Sequence, residues 1–150
     1  MRVHWTRAIL AGILGTLAFD ILGLLLSAMM GNPSWWDVPR MLGMKTGFGL
    51  FGGVLQHYGN GAILAIIFAA IAPSLWGPHW LRAVLYISIQ TVTGVWFFMM
   101  PLLDMGVAGV HSPMGMMMPV ASLLRHWVYG LVLAGLYPAA LYASTHPSTE

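Results

Sequence analysis

Charge is scarce in this chain. Of 150 residues only 7% are charged, six Lys or Arg and four Asp or Glu. A globular domain draws about a quarter of its residues from those four types, so this sequence cannot build a water-facing surface, which excludes a soluble domain and points to lipid as the solvent. The six cations are scattered rather than striped, which leaves nucleic acid no electrostatic footprint. Cysteine is absent altogether, excluding disulfides, thiolate zinc sites, iron–sulfur clusters and covalently attached haem. Also missing are a nucleophile elbow, a phosphate loop, a metalloprotease motif and a pair of catalytic carboxylates, so the sequence offers no catalytic residue.

What is abundant is apolar length. The chain is 59% hydrophobic, and a bilayer-spanning helix needs roughly 20 apolar residues. Four uncharged or nearly uncharged runs meet that need, at about 7–30, 49–72, 81–103 and 119–142. Turn chemistry separates them: Gly31 to Ser34, Pro73 to Pro78, and the Gly/Pro/Met stretch Gly106 to Gly115. Backbone groups in lipid must be satisfied within the segment, so the expected fold is all-α, a single four-span membrane bundle over residues 1–150. Arg2 and Arg7 precede the first run as in a secretory signal, but the run is long for one and no cleavage site follows, so it is read as a retained helix. Arg2, Arg7 and Arg82 fall on one side; Arg40, Lys45 and Arg125 fall on the other. Discounting Arg125, which lies inside a helix, and noting Asp37 and Asp104 on the second side, both termini are expected in the cytoplasm. Trp5, Trp35, Trp36, Trp76 and Trp80 gather near the proposed ends, as rings at headgroup level do.

The halves of the chain resemble each other. Arg7-Ala8-Ile9-Leu10 opens the first run and Arg82-Ala83-Val84-Leu85 the third. Leu55-Gln56-His57-Tyr58, with Gly61 and Leu64-Ala65 after it, returns as Leu124-Arg125-His126-Trp127, with Gly130 and Leu133-Ala134. The spacing predicts two repeated hairpins, and two helices per unit relate them by a pseudo-twofold axis along the membrane normal.

At a rise of 1.5 Å per residue, His57, His126 and Asp20 lie about 12, 10 and 15 Å from the side bearing the first and third loops, a single stratum. Arg125 adjoins it and Asp104 stands at its rim. Ionisable groups inside a membrane are costly and mark a functional site by default. Two histidines on facing helices can supply both axial ligands of a b-type haem, and Gly53, Gly61 and Gly130, each one turn from a histidine, would clear the porphyrin faces. Arg125 would then pair with a propionate, or with Asp20 or Asp104. The competing expectation is structural: small residues one turn apart also let helices approach, and Asp20, Asp104, Arg125 and the histidines can form an ion-paired cluster or a proton relay.

Twelve methionines, several of them in the third loop after His111, raise a second chemistry. Thioethers suit Cu(I), with His111, Met114 and Met116 as candidate ligands, although methionine is more often flexible apolar filler. Gln90, Thr91 and Thr93 lie mid-run in the third segment and are expected to bond to neighbouring helices or to line a small cavity. The first loop, Pro33 to Gly43, is too apolar for a solvated connector and is expected to be a short amphipathic element near Asp37.

Asp37-Val38-Pro39-Arg40-Met41-Leu42-Gly43, His57 with Gly61, Met100-Pro101, and His126-Trp127-Val128-Tyr129-Gly130 together resemble the small four-helix proteins of bacterial inner membranes. The resemblance covers most of the chain and implies the fold and the inner membrane; that family has no settled activity, so no catalytic residue carries over. Three functions remain open on the residues: an accessory subunit packed on other membrane subunits or on itself, a b-type haem carrier, and a conductor of protons, ions or small solutes along Asp20, His57 and His126.

Overall fold

The computed structural model describes residues 4–143. Helices carry most of that stretch, and there is no strand among the described residues. Helix α1 is Trp5–Met29, α2 is Asp37–Thr46 and α3 is Gly49–Ile71, the last extended by a 3-10 turn at Ala72–Ser74. Helix α4 starts at His79 and runs to Leu102, its second half, Thr91–Met99, wound as a wide π-helix. Helix α5 is Met117–Leu136, and a last turn, α6, is Ala140–Ala143. Four of these, the segments Trp5–Met29, Gly49–Ser74, His79–Leu102 and Met117–Leu136, are long and apolar enough to cross a membrane.

The first three boundaries fall within two residues of those expected, whereas the fourth helix stops six residues early, at Leu136. Pro138 is the reason: it disfavours helical geometry in the residue before it, and Tyr137 leaves the helix at φ −117°, ψ 73°. The apolar run continues past this break, so hydrophobicity alone overshoots.

Helix α1 is the central element, packed on one side against α3 and on the other against α5, which in turn packs against α4. Glycines set those approaches. A Cβ on Gly12 would stand 2.8 Å from Cα of Ala62 on α3, and one on Gly15 would stand 2.8 Å from the Tyr129 ring on α5. The core between them is built from alanines and a few large side chains, Phe68, Ile87, Leu133 and Tyr137, all buried. On the fourth side, α3 and α4 diverge into a cleft, bridged by the Tyr86 hydroxyl, which donates to the Leu64 carbonyl at 2.9 Å.

The first connection is helical, as its composition suggests. Asp37 opens α2, and Gly47 and Gly49, at φ 77° and 63°, turn the chain from α2 into α3 in a conformation that glycine adopts without strain. Helix α2 folds back on the start of α3 so closely that a Cβ on Gly53 would collide with the Pro39 carbonyl, and one on Gly43 with that of Gly49.

Candidate functional site: a buried ion-paired cluster

Asp20 is carried by α1, where its side chain is wholly buried. An apolar surround demands that both carboxylate oxygens find partners. Asp20 Oδ1 lies 3.0 Å from Nε2 of His57, and Oδ2 accepts a 2.9 Å hydrogen bond from the Tyr58 hydroxyl, both from α3. Arg125 enters from α5, its Nη2 at 3.8 Å from the same Oδ1. The sequence places Asp20, His57 and Arg125 in one stratum, and the structure brings these three into one cluster.

The principal partner of Arg125 is a different carboxylate. Nη1 and Nη2 donate to the two oxygens of Asp37 at 2.6 and 2.8 Å, a bidentate fork, while Nε donates to the Phe19 carbonyl at 3.3 Å. The guanidinium also lies 4.1 Å from the centre of the Phe19 ring. Room for it comes from Gly23 on α1, where any Cβ would run into the guanidinium. Asp37 is outside the long helices, at the start of α2. Burial pushes its pKa up, but the hydrogen bonds and charge of Arg125 outweigh that and hold it below the ordinary carboxylate value.

Asp104, expected near Arg125, is elsewhere. It sits in the loop after α4, 81% exposed, and pairs with Lys45 at the far end of α2 at 2.6 Å. Helix α2 is thus tied at its first residue to α5 and near its last to the loop after α4.

The two histidines do not form a ligand pair. The Phe19 ring stands against both, its centroid 5.4 Å from that of His57 and 4.9 Å from that of His126. His57 presents Nε2 to Asp20, and His126 donates through Nδ1 to the Ser122 carbonyl of its own helix at 2.7 Å. The glycines expected to clear a porphyrin are occupied as well: Gly53 lies against α2, Gly61 against Thr16, and Gly130 against Ile87, whose Cγ2 would be 2.9 Å from a Cβ there. These residues do not suit a haem between His57 and His126.

In the third loop, no hydrogen bond or ring contact joins His111, Met114 and Met116 among the described residues. The exposed His111 packs over Gly106, Met116 is 76% exposed, and Met118 turns inward with Met100 above Gly109. No group of three or more His, Asp or Glu able to hold a metal ion occurs among the described residues. Thr91 and Thr93 spend their hydroxyls on carbonyls one turn back, at 2.7 and 2.8 Å, rather than across helices.

Sequence reasoning missed Asp37, Tyr58 and Phe19 as members of the cluster. Asp37 had a signal, since it begins the connector on the side to which Arg125 belongs. Tyr58, next to His57, shares its depth. Phe19 had none, because nothing in an apolar sequence distinguishes a ring that seats a guanidinium from one that fills space.

Against known proteins, a family model matches residues 2–148. The chain belongs to the family of unknown function DUF6789. No curated protein and no solved structure matches it. Membership agrees with the resemblance drawn from the loop and histidine motifs and supplies no activity.

Proposed function

We propose that the chain is a multi-pass protein of the bacterial inner membrane, both termini cytoplasmic, that serves as an accessory subunit of a membrane assembly without turnover of its own. The observation that carries this reading is that the buried charged site is closed on itself: Asp20, Asp37, Arg125, His57 and Tyr58 are one another's partners. What the protein turns outward is apolar, including Leu25, Phe51, Ile63 and Phe97, each more than half exposed. In a bilayer such faces meet lipid or the helices of neighbouring subunits. Purification in mild detergent tests this. A stoichiometric second polypeptide is expected to travel with the chain, and recovery of the chain with no other polypeptide overturns the role.

Two repeated hairpins, α1 with α3 and α4 with α5, related by a pseudo-twofold axis along the membrane normal, are the proposed architecture. Equivalent positions support it. Offset by 75 residues, Ala8 and Ala83 are both fully buried, and Thr16 and Thr91 are both buried and bonded one turn back. Offset by 69, Phe68 and Tyr137 are both buried. Arg7 Nε donates to the Leu136 carbonyl at the end of α5, and Arg82 Nη1 to the Ala72 carbonyl at the end of α3, two arginines closing two helix ends in the same way.

A second reading, proton movement through Asp20, His57 and His126, is favoured by the 3.0 Å contact of Asp20 with His57. Proton flux in proteoliposomes would then fall in Asp20→Asn, and unchanged flux removes it.

A further inference from the structure

We infer that the loop end of the bundle is an acid-opened jaw: α2 clasps the first hairpin to the second through two aspartate ion pairs, and protonation of those aspartates parts α2 from α5 while the termini end stays shut. The inference goes beyond the accessory role and does not depend on it.

The distribution of buried side chains sets the hinge. Toward the termini each long helix brings an apolar side chain into the core: Ala11, Phe68, Ile87 and Leu133 are at most 1% exposed. Toward the loops the buried set includes Asp20, Ser122 and Arg125. Apolar packing carries no ionisable group and holds in acid, whereas a charged pair lasts only while both charges do. The hairpins pack on each other through α1 and α5, and α3 and α4 leave a cleft between them. Tyr86 and Arg82 bridge that cleft to the Leu64 and Ala72 carbonyls, both in the termini half.

At the loop end α2 spans the gap. It packs extensively against α3, where Gly43 and Gly53 bring the backbones together. Its hydrogen bonds to the second hairpin, among the described residues, are those of Asp37 with Arg125 and of Lys45 with Asp104. Both pairs are made beside a backbone in a costly state. Trp36, which precedes Asp37, stands at φ 57°, and Asp104 itself at φ 63°, the left-handed region that residues with side chains disfavour. Parting the pairs lets both relax. In each pair the cation keeps its charge in acid and the aspartate loses it. Around Asp37 stand Arg125 from α5, His57 from α3 and, across the same guanidinium, Asp20 from α1; Lys45 stands at Asp104. Once Asp37 is neutral, the carboxylate left to Arg125 is Asp20, 3.8 Å away and already engaged by His57 and Tyr58. The glycine contacts keep α2 on α3, so the separation falls between α2 and the second hairpin.

The chain has no cysteine, so pairs of introduced thiols carry spin labels without background. Met44→Cys on α2 with Val120→Cys on α5, both exposed, reports the loop end; Ile71→Cys with Leu136→Cys reports the termini end. Lowering the pH through the carboxylate range in detergent is expected to lengthen the first distance by more than about 2 Å, beyond what a pre-organised protein shows, and to leave the second unchanged. Asp37→Asn combined with Asp104→Asn is expected to give the longer distance already at neutral pH. Monodisperse elution and retained helix content of that variant separate opening from acid unfolding. Lengthening of both distances, or a first distance that neither acid nor the double substitution alters, overturns the inference.

Discussion

Arg125 and Lys45 both hold α2, and the difference in their surroundings sets how much each pairing is worth. Arg125 is about one-tenth exposed and its carboxylate partner Asp37 about one-third, whereas Lys45 and Asp104 are 39% and 81% exposed. Removing one partner of a buried pair leaves the other uncompensated, at about 3 to 5 kcal/mol, while an exposed pair contributes about 0 to 1 kcal/mol. Discounted for the partial exposure of Asp37, Asp37→Asn is expected to destabilise by about 1 to 3 kcal/mol, and Lys45→Ala by less than about 1 kcal/mol, with an effect that fades as salt is added. Thermal midpoints in detergent at two salt concentrations distinguish them. Because the folded pKa of Asp37 lies below its unfolded value, its contribution is fully present above the ordinary carboxylate range near about 4 and is lost as pH falls through the lower folded value. A pH series of melts should therefore show part of the acid loss missing in Asp37→Asn; identical acid limbs in the two proteins would contradict the assignment. Depth along the helices was enough to read Asp20, His57 and Arg125 as neighbours. Which carboxylate Arg125 prefers was not, because that depends on how far a loop helix folds back over the bundle.

Among the elements, the glycines divide by what lies opposite them. Gly53 and Gly61 face backbone or side chains at distances no Cβ tolerates, while Gly59, also in α3, faces open space. Gly61→Ala is accordingly expected to cost about 1 to 3 kcal/mol through overpacking, and Gly59→Ala to stabilise by about 0.5 to 1 kcal/mol through helix propensity. The order of their melting temperatures checks both. The glycine spacing was visible in the sequence with two meanings, close helix approach or room for a porphyrin. Only the position of α2, and of Thr16 and Ile87 on neighbouring helices, selects the first. The end of α5 was misread for a related reason: the apolar pattern runs on, and one proline overrules it.

At the scale of the whole molecule, the four long helices and their order were legible because lipid leaves so few options for an uncharged run of that length. A small cavity lined by Gln90 and Thr93 was legible too, but not that α3 and α4 are the helices that wall it, which depends on how they pack. The two histidines were placed by depth alone, which does not reveal that both rings pack against Phe19 or that Nε2 of His57 faces Asp20 and Nδ1 of His126 its own helix. A reduced-minus-oxidised spectrum after haem-replete expression is therefore expected to show no Soret band; a band abolished by both His57→Ala and His126→Ala would reverse that conclusion.

The fork between Asp37 and Arg125 also has a consequence for biosynthesis. Its two members are 88 residues apart, and ribosomes deliver about 5 to 20 residues per second. For several seconds the nascent first hairpin holds Asp37 without the guanidinium that pairs with it, while Asp20 already has His57 and Tyr58. The strap across the bundle can latch only when the fourth helix arrives, so a chain truncated before it would expose the unmatched Asp37 to the machinery that removes incomplete products.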